Sequence, residues 1–314
     1  MTFADPVSPI LINYDSPLAL RAFLDEHGLG MRKKLGQNFL VNPVIRSKLI
    51  DGLELSRGDC VWEIGPGLGA MTKGLLEKGS CVTAFEIDPA FIRALKEFFP
   101  AENPEYGINF RIVEGDVFKT WREETAEFQE KNKELLLLGN LPYNIAAALM
   151  ADFIEHGWFF KRMVVTVQRE VAVRMYARPS SPEYSSFSVL CSSVYKVTPL
   201  MVIKGASFYP APKVDSQGVS LDLLPSRIFP ALLYPLVRNL FSSRRKTIRN
   251  TLSQYVSSVI MTEKESGRNF SPSEIAADLF EKSGISGDRR AETLDIDEFT
   301  ALAAALEETI QYGR

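Results

Sequence analysis

Histidine and cysteine are scarce in this chain, whose 314 residues include two histidines and three cysteines. Two histidines exclude a histidine-rich metal centre and argue against a histidine general base. The cysteines form no CxxC pair and are odd in number, which favours buried, reduced thiols over a disulfide framework or a metal site. No run of about 18 apolar residues is present, and the first residues lack the pattern of a secretory signal. We therefore expect a cytoplasmic protein with no membrane span and no metal.

Charge is unevenly distributed along the chain, although the net charge is only −3. Residues 151–250 carry 14 basic and 6 acidic side chains, whereas residues 51–150 carry 10 basic and 17 acidic ones. A basic middle can give an acidic protein a positive face that attracts nucleic acid. Two basic clusters stand out: Arg244, Arg245, Lys246 and Arg249, and Arg32, Lys33 and Lys34. Solvated helix faces explain these clusters, taken alone, as well as a nucleic-acid partner does.

Apolar segments of strand length alternate with helical segments from about residue 57 to Pro225. The predicted strands are residues 60–64, 81–85, 110–113, 135–138, 163–167, 194–197 and 219–224, and the predicted helices are 70–78, 89–98, 145–155 and 169–176. This alternation is typical of a doubly wound α/β sheet that is mostly parallel. Helical patterns follow Pro225, the last of them capped by Asp295 with Glu298 three residues on. We predict an N-terminal extension (1–30), an α/β domain (31–225) and a smaller, mostly helical C-terminal domain (226–314).

A glycine-rich turn, residues 65–69, follows the first predicted strand and precedes a helix. With Ala70 included, it fits the G-x-G-x-x-G/A fingerprint of dinucleotide-binding proteins, and Glu86 lies about 20 residues on, as that fingerprint requires. It also fits the E/D-x-G-x-G-x-G loop of S-adenosylmethionine (AdoMet) methyltransferases, which Glu63 favours. AdoMet has no pyrophosphate and carries an ammonium that an acidic residue can contact. Glu86 would bind ribose hydroxyls in either case, and Asp116 could accept a hydrogen bond from the adenine amine.

The sequence Asn140-Leu141-Pro142-Tyr143 follows the fourth predicted strand, where an open α/β sheet builds its ligand crevice. An exocyclic amine on adenine is a poor nucleophile because its lone pair is delocalised into the ring. The Asn140 side-chain oxygen and the Leu141 carbonyl could bind the amino hydrogens and favour a pyramidal nitrogen. Tyr143 offers an aromatic face to a base that has left its stack. A simple β-turn is the alternative explanation of this composition.

Seven stretches, taken in order, resemble the ribosomal RNA adenine dimethyltransferase family. They are Lys34–Leu40, Glu63–Gly69, Glu86-Ile87-Asp88, Gly115-Asp116, Asn140–Tyr143, the loop Ala206–Ser216 and the basic helix Phe241–Asn250. Within the family they are most similar to the small-subunit (16S) enzyme, which dimethylates two adjacent adenosines near the 3′ end of that RNA. The resemblance covers about residues 32 to 300. Each motif is weak by itself, whereas the ordered set is specific.

The resemblance implies a Rossmann-like AdoMet methyltransferase sheet with AdoMet as cofactor, and it implies roles for individual residues. The residues that would hold AdoMet are Asn38, Leu40, Gly65, Glu86, Asp116 and Asn140. The residues that would address the adenine are Asn140, Leu141 and Tyr143, with Phe208 stacked on the other face of the ring. The residues that would grip RNA phosphates are Arg244, Arg245, Lys246 and Arg249. The implied partner is 16S rRNA within an immature small ribosomal subunit, approached by a monomer.

Phe208 has two interpretations that the sequence leaves open. It lies in a loop made rigid by Pro210 and Pro212, so we expect it to be partly exposed, as a stacking platform must be. A buried core anchor is the other interpretation.

Three other functions compete with small-subunit methylation. An erythromycin-resistance type enzyme would share the fold and the catalytic loop but methylate large-subunit rRNA. A ribosome-assembly checkpoint would depend on binding more than on catalysis. A dehydrogenase would bind NADH and not AdoMet.

Overall fold

The computed structural model describes residues 12–32, 35–100, 109–126, 128, 134–225, 229–261 and 271–312. The strands of this part are β1 (Phe39–Leu40), β2 (Cys60–Ile64), β3 (Cys81–Glu86), β4 (Phe110–Glu114), β5 (Leu135–Asn140), β6 (Arg162–Gln168), β7 (Tyr195–Ile203), β8 (Phe208–Tyr209) and β9 (Ser216–Leu223). Residues 1–11 of the predicted extension, and Lys33 and Lys34 of the second basic cluster, lie outside the described residues.

The helices of this part are α1 (Pro17–Glu26), α2 (Pro43–Asp51), α3 (Ala70–Glu77), α4 (Pro89–Phe98), α5 (Val117–Thr120), α6 (Ala146–Glu155), α7 (Arg169–Tyr176), α8 (Ser186–Val194), α9 (Leu233–Phe241), α10 (Ile248–Met261), α11 (Pro272–Ser283) and α12 (Ile296–Tyr312). Within the described ranges, none of these helices is both long and apolar enough to cross a bilayer.

A seven-stranded sheet with the order β4-β3-β2-β5-β6-β9-β7 forms the centre of the first compact unit. In this order, every pair of neighbours from β4 through β3, β2 and β5 to β6 is parallel, whereas β9 pairs antiparallel with β6. The chain runs from β2 outward to β4 and then returns to the other side of β2 as β5. This reversal between β2 and β5 is the point at which an open α/β sheet has a crevice at the carboxyl ends of its strands.

The pattern of buried residues explains why these segments form a covered sheet. Strand β5 reads Leu-Leu-Leu-Leu-Gly-Asn, and its four leucines are at most 5% exposed because helices cover both faces of a parallel sheet. A shorter, two-stranded sheet pairs β1 with β8, setting Leu40 opposite Phe208. The predicted α/β class, with a smaller helical unit, is confirmed.

The chain divides into two compact units, and the second contains residues 153–158, 173–197 and 224–314. Its core is formed by α8 to α12 with the segment around Tyr184, whose hydroxyl donates to the Leu294 carbonyl at 2.9 Å. The predicted capping box of the last helix is present, because the Glu298 N–H donates to the Asp295 carboxylate at 2.9 Å and the Asp295 N–H donates to the Glu298 carboxylate at 3.0 Å.

The compact units differ from the predicted ranges in where residues 173–197 belong, since the sequence pattern assigned them to the α/β domain. Helix α8 lies within this range, and the sequence analysis did not predict it. Its serines are largely buried along with its apolar residues, so the helix has no polar face. It is buried on nearly every side, so amphipathic periodicity could not reveal it. Residues 12–30 are part of the first unit, where Leu20 and Leu24 pack with Leu68 and Phe91.

Candidate functional site

A cavity of about 360 Å³ lies at the reversal point of the sheet, at the carboxyl ends of four neighbouring strands. Its walls include the residues that follow those strands: Gly65 after β2, Glu86 at the end of β3, Asp116 after β4, and Asn140 at the end of β5. The stretch from Leu35 to Leu40 lines a further side. All six residues predicted to hold AdoMet therefore line one cavity. Four of them do so because parallel strands deliver their carboxyl ends to the same edge, and Asn38 and Leu40 belong to the stretch that lines the further side.

The glycine turn gives a ligand access to the backbone. Gly65 adopts φ 70°, and a Cβ added there would meet no atom within 4 Å, so the space above it is open. Gly67 adopts φ 60°, and the Phe39 ring would be 3.0 Å from an added Cβ. Side chains larger than hydrogen are therefore strained at both positions, and at Gly67 they are also crowded.

Glu86 is a buried carboxylate held by the backbone around it. It is 5% exposed and accepts hydrogen bonds from the N–H groups of Gly67 at 3.2 Å, Ile87 at 2.9 Å and Asp88 at 2.8 Å. Burial raises the pKa of Glu86 to about 7, although these three donors act in the opposite direction. The Gly67 N–H is therefore committed to this carboxylate, which is held in place at the end of β3.

Glu63 is fully buried and is not among the residues that line the cavity. One carboxylate oxygen accepts from the Thr72 hydroxyl at 2.6 Å, and the other has no hydrogen-bond partner among the described residues. Burial raises the pKa of Glu63 to about 7. The acidic contact to an ammonium that favoured the methyltransferase interpretation is thus not presented on the cavity wall by this side chain.

The chain segment before β1 is tied to the ends of β3 and β5. The Gln37 side chain donates to the buried Asp88 carboxylate at 3.1 Å, and the Asn140 side chain donates to the Asn38 carbonyl at 2.7 Å. Asp116 caps α5 by accepting the Phe118 N–H at 3.1 Å, which leaves its second carboxylate oxygen for a ligand. Hydrogen bonds within the protein therefore hold the cavity wall at Gln37, Asn38 and Asn140 in place before any ligand arrives.

The Asn140–Tyr143 stretch leaves β5 at the rim of the cavity. Because the Asn140 Nδ2 donates to a carbonyl, its Oδ1 is the free acceptor of that amide. The Leu141 N–H donates to the Thr166 carbonyl at 3.0 Å on β6, and the Leu141 carbonyl accepts no hydrogen bond from the described residues. Two acceptors are thus held in consecutive residues, as the chemistry of an exocyclic amine requires.

Tyr143 is half-buried, and its hydroxyl lies 2.6 Å from the Ser216 hydroxyl. Burial raises the pKa of Tyr143, so the phenol is neutral at physiological pH. Neither Leu141 nor Tyr143 is among the cavity-lining residues, although Asn140 and Pro142 are. The acceptor pair therefore stands at the boundary between the cavity and its surroundings, where a second substrate can meet the first.

Phe208 does not have the exposure that the sequence analysis predicted. The side chain is 3% exposed and belongs to a hydrophobic cluster with Leu40, Ile50 and Ile203. Pairing of β8 with β1 draws the ring inward, because Phe208 lies opposite Leu40 in that small sheet. The prediction of a partly exposed ring was wrong, and the interpretation as a core anchor describes its position; stacking on a base would require the ring to leave the core.

Arg244, Arg245 and Lys246 lie in a turn between α9 and α10, and Arg249 is in the first turn of α10, which corrects the predicted basic helix over residues 241–250. All four side chains are exposed, yet two of them have acidic partners. Arg244 pairs with Glu292 at 3.1 Å, and Arg249 pairs with Asp288 at 3.3 Å. No ion pair is recorded for Arg245 or Lys246 with the described residues, so these two are the cations available to a partner.

Tyr14 and Arg46 are among the residues of the cavity wall that the sequence analysis missed. Tyr14 donates its hydroxyl to the Leu68 carbonyl at 2.8 Å, and Arg46 donates to the Leu40 carbonyl at 2.7 Å. Both line the cavity. They lie outside every motif, and no local pattern links a tyrosine before α1 to an arginine within α2.

The residues of the cavity fit AdoMet. Its adenosine half needs acceptors for ribose hydroxyls and for the adenine amine, and Glu86 and Asp116 supply carboxylates on adjacent strands. Its methionyl half needs room beside the glycine turn, which the open space above Gly65 provides.

Comparison with known proteins identifies the family. A family model described as ribosomal RNA adenine dimethylase matches residues 28–269. The chain belongs to the ribosomal RNA adenine dimethylase family. The chain is therefore an AdoMet-dependent rRNA adenine dimethyltransferase, as the sequence motifs predicted.

Curated relatives of this dimethylase extend over nearly its whole length. It is 43% identical to a ribosomal RNA small subunit methyltransferase A of Treponema denticola, an alignment that covers 93% of this chain and 94% of that protein. It is 37% identical to the protein of the same name from Borreliella burgdorferi, with 94% and 95% covered.

Solved structures agree with this family. A dimethyladenosine transferase from Plasmodium falciparum matches with a TM-score of 0.69 and 28% identity, covering 87% of this chain and 97% of that chain. The 23S rRNA methyltransferase ErmE matches with a TM-score of 0.56 and 19% identity, covering 85% of this chain and 99% of that chain. The second likeness shows the fold alone, so the large-subunit alternative is the weaker one.

Proposed function

We propose that this dimethylase transfers methyl groups from AdoMet to the N6 amines of two adjacent adenosines near the 3′ end of 16S rRNA, and that Asn140 and Leu141 seat each amine. The orientation of the Asn140 amide is the observation that carries the proposal. Its Nδ2 is committed to the Asn38 carbonyl, so its Oδ1 is the acceptor that this amide retains for a substrate amine. The small-subunit target is supported by the names of the curated relatives.

Two fixed acceptors address the difficulty of methylating adenine. Hydrogen bonds from the N6 hydrogens to Asn140 Oδ1 and to the Leu141 carbonyl favour a pyramidal nitrogen with a localised lone pair. Bound AdoMet supplies an electrophilic methyl group on a sulfonium. The protein contributes mainly position and electrostatics, because the acceptors are in place before the base arrives.

The Tyr143 ring gives the extruded base an apolar face. Its hydroxyl is held by Ser216, so the ring does not rotate freely when the base enters. Tyr143 remains a neutral phenol, since burial raises its pKa. We assign it a stacking role and no part in proton transfer.

Methyl transfer onto unmodified particles tests this function. Purified enzyme with tritiated AdoMet should label small subunits that lack the modification, and nucleoside analysis should recover N6,N6-dimethyladenosine. Large subunits are offered in a parallel reaction, and label that appears only in their RNA would refute the proposed target. We propose that the substrate is an immature small subunit and that the enzyme acts on it as a cytoplasmic monomer. Sedimentation of the enzyme, alone and bound to immature particles, tests the monomeric state and the immature substrate, and cell fractionation tests the location.

AdoMet is held, in this proposal, by Asn38, Leu40, Gly65, Glu86, Asp116 and Asn140. The ribose hydroxyls donate to Glu86, which must be ionised to accept both. Because burial raises the pKa of Glu86 to about 7, AdoMet affinity should increase from pH 6 to pH 8 and level off above. For a group of that pKa the increase is about tenfold. Calorimetric titration across this range measures it.

The matched controls for this pH dependence are two glutamine variants. Glu86→Gln should bind AdoMet weakly at every pH, whereas Glu63→Gln should keep the pH dependence, because Glu63 does not line the cavity. A flat profile in the unsubstituted protein would exclude Glu86 as the ribose ligand.

We propose that Arg245 and Lys246 contribute more to RNA binding than Arg244 and Arg249, because acidic side chains already neutralise the latter pair. Each phosphate contact contributes about 0.7 to the slope of log K against log salt for single-stranded RNA. The double variant Arg245→Gln/Lys246→Gln should reduce that slope by about 1.4. Arg244→Gln/Arg249→Gln, which removes the same charge, should reduce it less. Equal reductions would contradict the assignment.

A further inference from the structure

Arg46 is a buried arginine on the wall of the cofactor cavity. Its side chain is 10% exposed, and it emerges from α2 beside the buried Leu49 and Ile50. One terminal nitrogen donates to the Leu40 carbonyl at 2.7 Å, and the other pairs with Asp15. A guanidinium removed from water costs several kcal/mol unless anions compensate it. One carbonyl and one carboxylate are its recorded partners among the described residues.

The Asp15 carboxylate is an exchangeable partner. It is 55% exposed and belongs to the segment before α1, so the ion pair is open to solvent on the Asp15 side. The adjacent Tyr14 is held more firmly, since its hydroxyl donates to the Leu68 carbonyl of the glycine turn at 2.8 Å. Tyr14 and Arg46 therefore both belong to the cavity wall, and the Asp15 carboxylate that pairs with Arg46 can be replaced by another anion.

Strand order indicates which end of AdoMet meets this wall. Asp116 and Glu86 follow β4 and β3, and we have assigned them the adenine and the ribose. The next strands, β2 and β5, lie about 5 Å and 10 Å further along the sheet, so the rest of the molecule extends toward Gly65 and Asn140. Arg46 belongs to this end of the cavity, because it holds the Leu40 carbonyl two residues from Asn38, which Asn140 contacts.

We propose that Arg46 binds the α-carboxylate of AdoMet, with Tyr14 closing the pocket beside it and Asp15 holding the guanidinium when no carboxylate is present. Guanidinium and carboxylate match each other as paired donors and acceptors, which makes arginine the suitable side chain for this anion. The inference rests on the proposed orientation of the cofactor. It gives residues 14–15 of the N-terminal segment a function in cofactor binding.

Decarboxylated AdoMet is the probe that isolates this contact, because it keeps the adenosine, the sulfonium and the ammonium and lacks only the carboxylate. In calorimetric titrations, Arg46→Gln should weaken AdoMet binding by about 10- to 100-fold, the range expected for a charged hydrogen bond. The same substitution should change binding of decarboxylated AdoMet by less than about threefold, which is the non-additivity expected for groups in direct contact. Arg238→Gln, which breaks an ion pair with Glu155 at residues that do not line the cavity, is the matched control and should change neither affinity.

Equal losses for both ligands would overturn the proposal and leave Arg46 a structural role through Leu40. A second variant, Asp15→Asn, serves if Arg46→Gln does not fold, since Asp15 is exposed. It removes the competing anion, so AdoMet should bind at least as tightly as before, whereas a weaker affinity would refute the exchange. Should the unsubstituted protein bind neither ligand, the proposed cofactor site itself would fail, an outcome distinct from the failure of Arg46.

Discussion

Replacing Asn140 by alanine is expected to lower the rate of methyl transfer by about 10²- to 10³-fold, the effect of removing one preorganised group from an electrostatic site. The variant loses the acceptor for one N6 hydrogen. It also loses the hydrogen bond to the Asn38 carbonyl, so the wall formed by residues 36–40 is less firmly held. Single-turnover transfer of tritiated methyl groups to unmodified small subunits, at saturating AdoMet, measures the chemical step.

The affinity for AdoMet separates catalysis from cofactor binding in this variant. We expect the dissociation constant to increase much less than the rate falls, since five other predicted contacts remain. Asn109→Ala, at the opposite edge of the sheet beside the start of β4, is the control and should be as active as the unsubstituted enzyme. If Asn140→Ala lost only AdoMet affinity and kept its maximal rate, the acceptor role would be wrong.

Replacing Phe208 by alanine should lower the free energy of unfolding by about 3–5 kcal/mol, the cost of deleting a buried aromatic ring. The ring is 3% exposed and contributes to the cluster that includes Leu40 and Ile50. Since Leu40 also lines the cofactor cavity, AdoMet affinity should fall with stability. Urea denaturation followed by circular dichroism measures the stability difference.

Two further variants distinguish a core role from a stacking role at position 208. Phe159→Ala removes a ring that is 42% exposed in the same unit, and it should change stability by about 0.5 kcal/mol or less. Phe208→Leu keeps an apolar side chain in the core, so it should retain most of the stability and the methyl transfer. A stable Phe208→Leu protein with no activity would show that the ring leaves the core to stack on the base.

Local sequence patterns predicted most of the α/β architecture, because its strands and helices carry the signals on which such patterns depend. Residues 60–64, 89–98 and 169–176 have the predicted bounds. Helix α8 was missed for a physical reason: it is buried on almost all sides and therefore has no polar face to give it a period. The short pairing of β1 with β8 was missed because two residues are too few for any alternation to show.

The predicted cofactor residues are adjacent in space because motif order and topology agree. Each one follows a parallel strand or belongs to the stretch that packs on the strand ends, so the fold collects them at one edge. Neither Phe208 nor the basic cluster follows one of the parallel strands, so motif order did not predict the exposure of the one or the ion pairs of the other. Exposure depends on which surface a loop meets, and the availability of Arg244 and Arg249 depends on Glu292 and Asp288, more than 35 residues away in the chain.

The sequence by itself determined the reaction, the cofactor and the α/β class of the fold, since motifs, their spacing and the alternation of strands with helices are local properties of the chain. Only the tertiary structure decided which side chains are free to act. The fold buries Phe208 and brings Tyr14 and Arg46 to the cofactor cavity. It also pairs two of the four cations of the basic cluster, Arg244 and Arg249, with acidic side chains. Burial and pairing are properties of contacts between distant segments, and no local pattern encodes them.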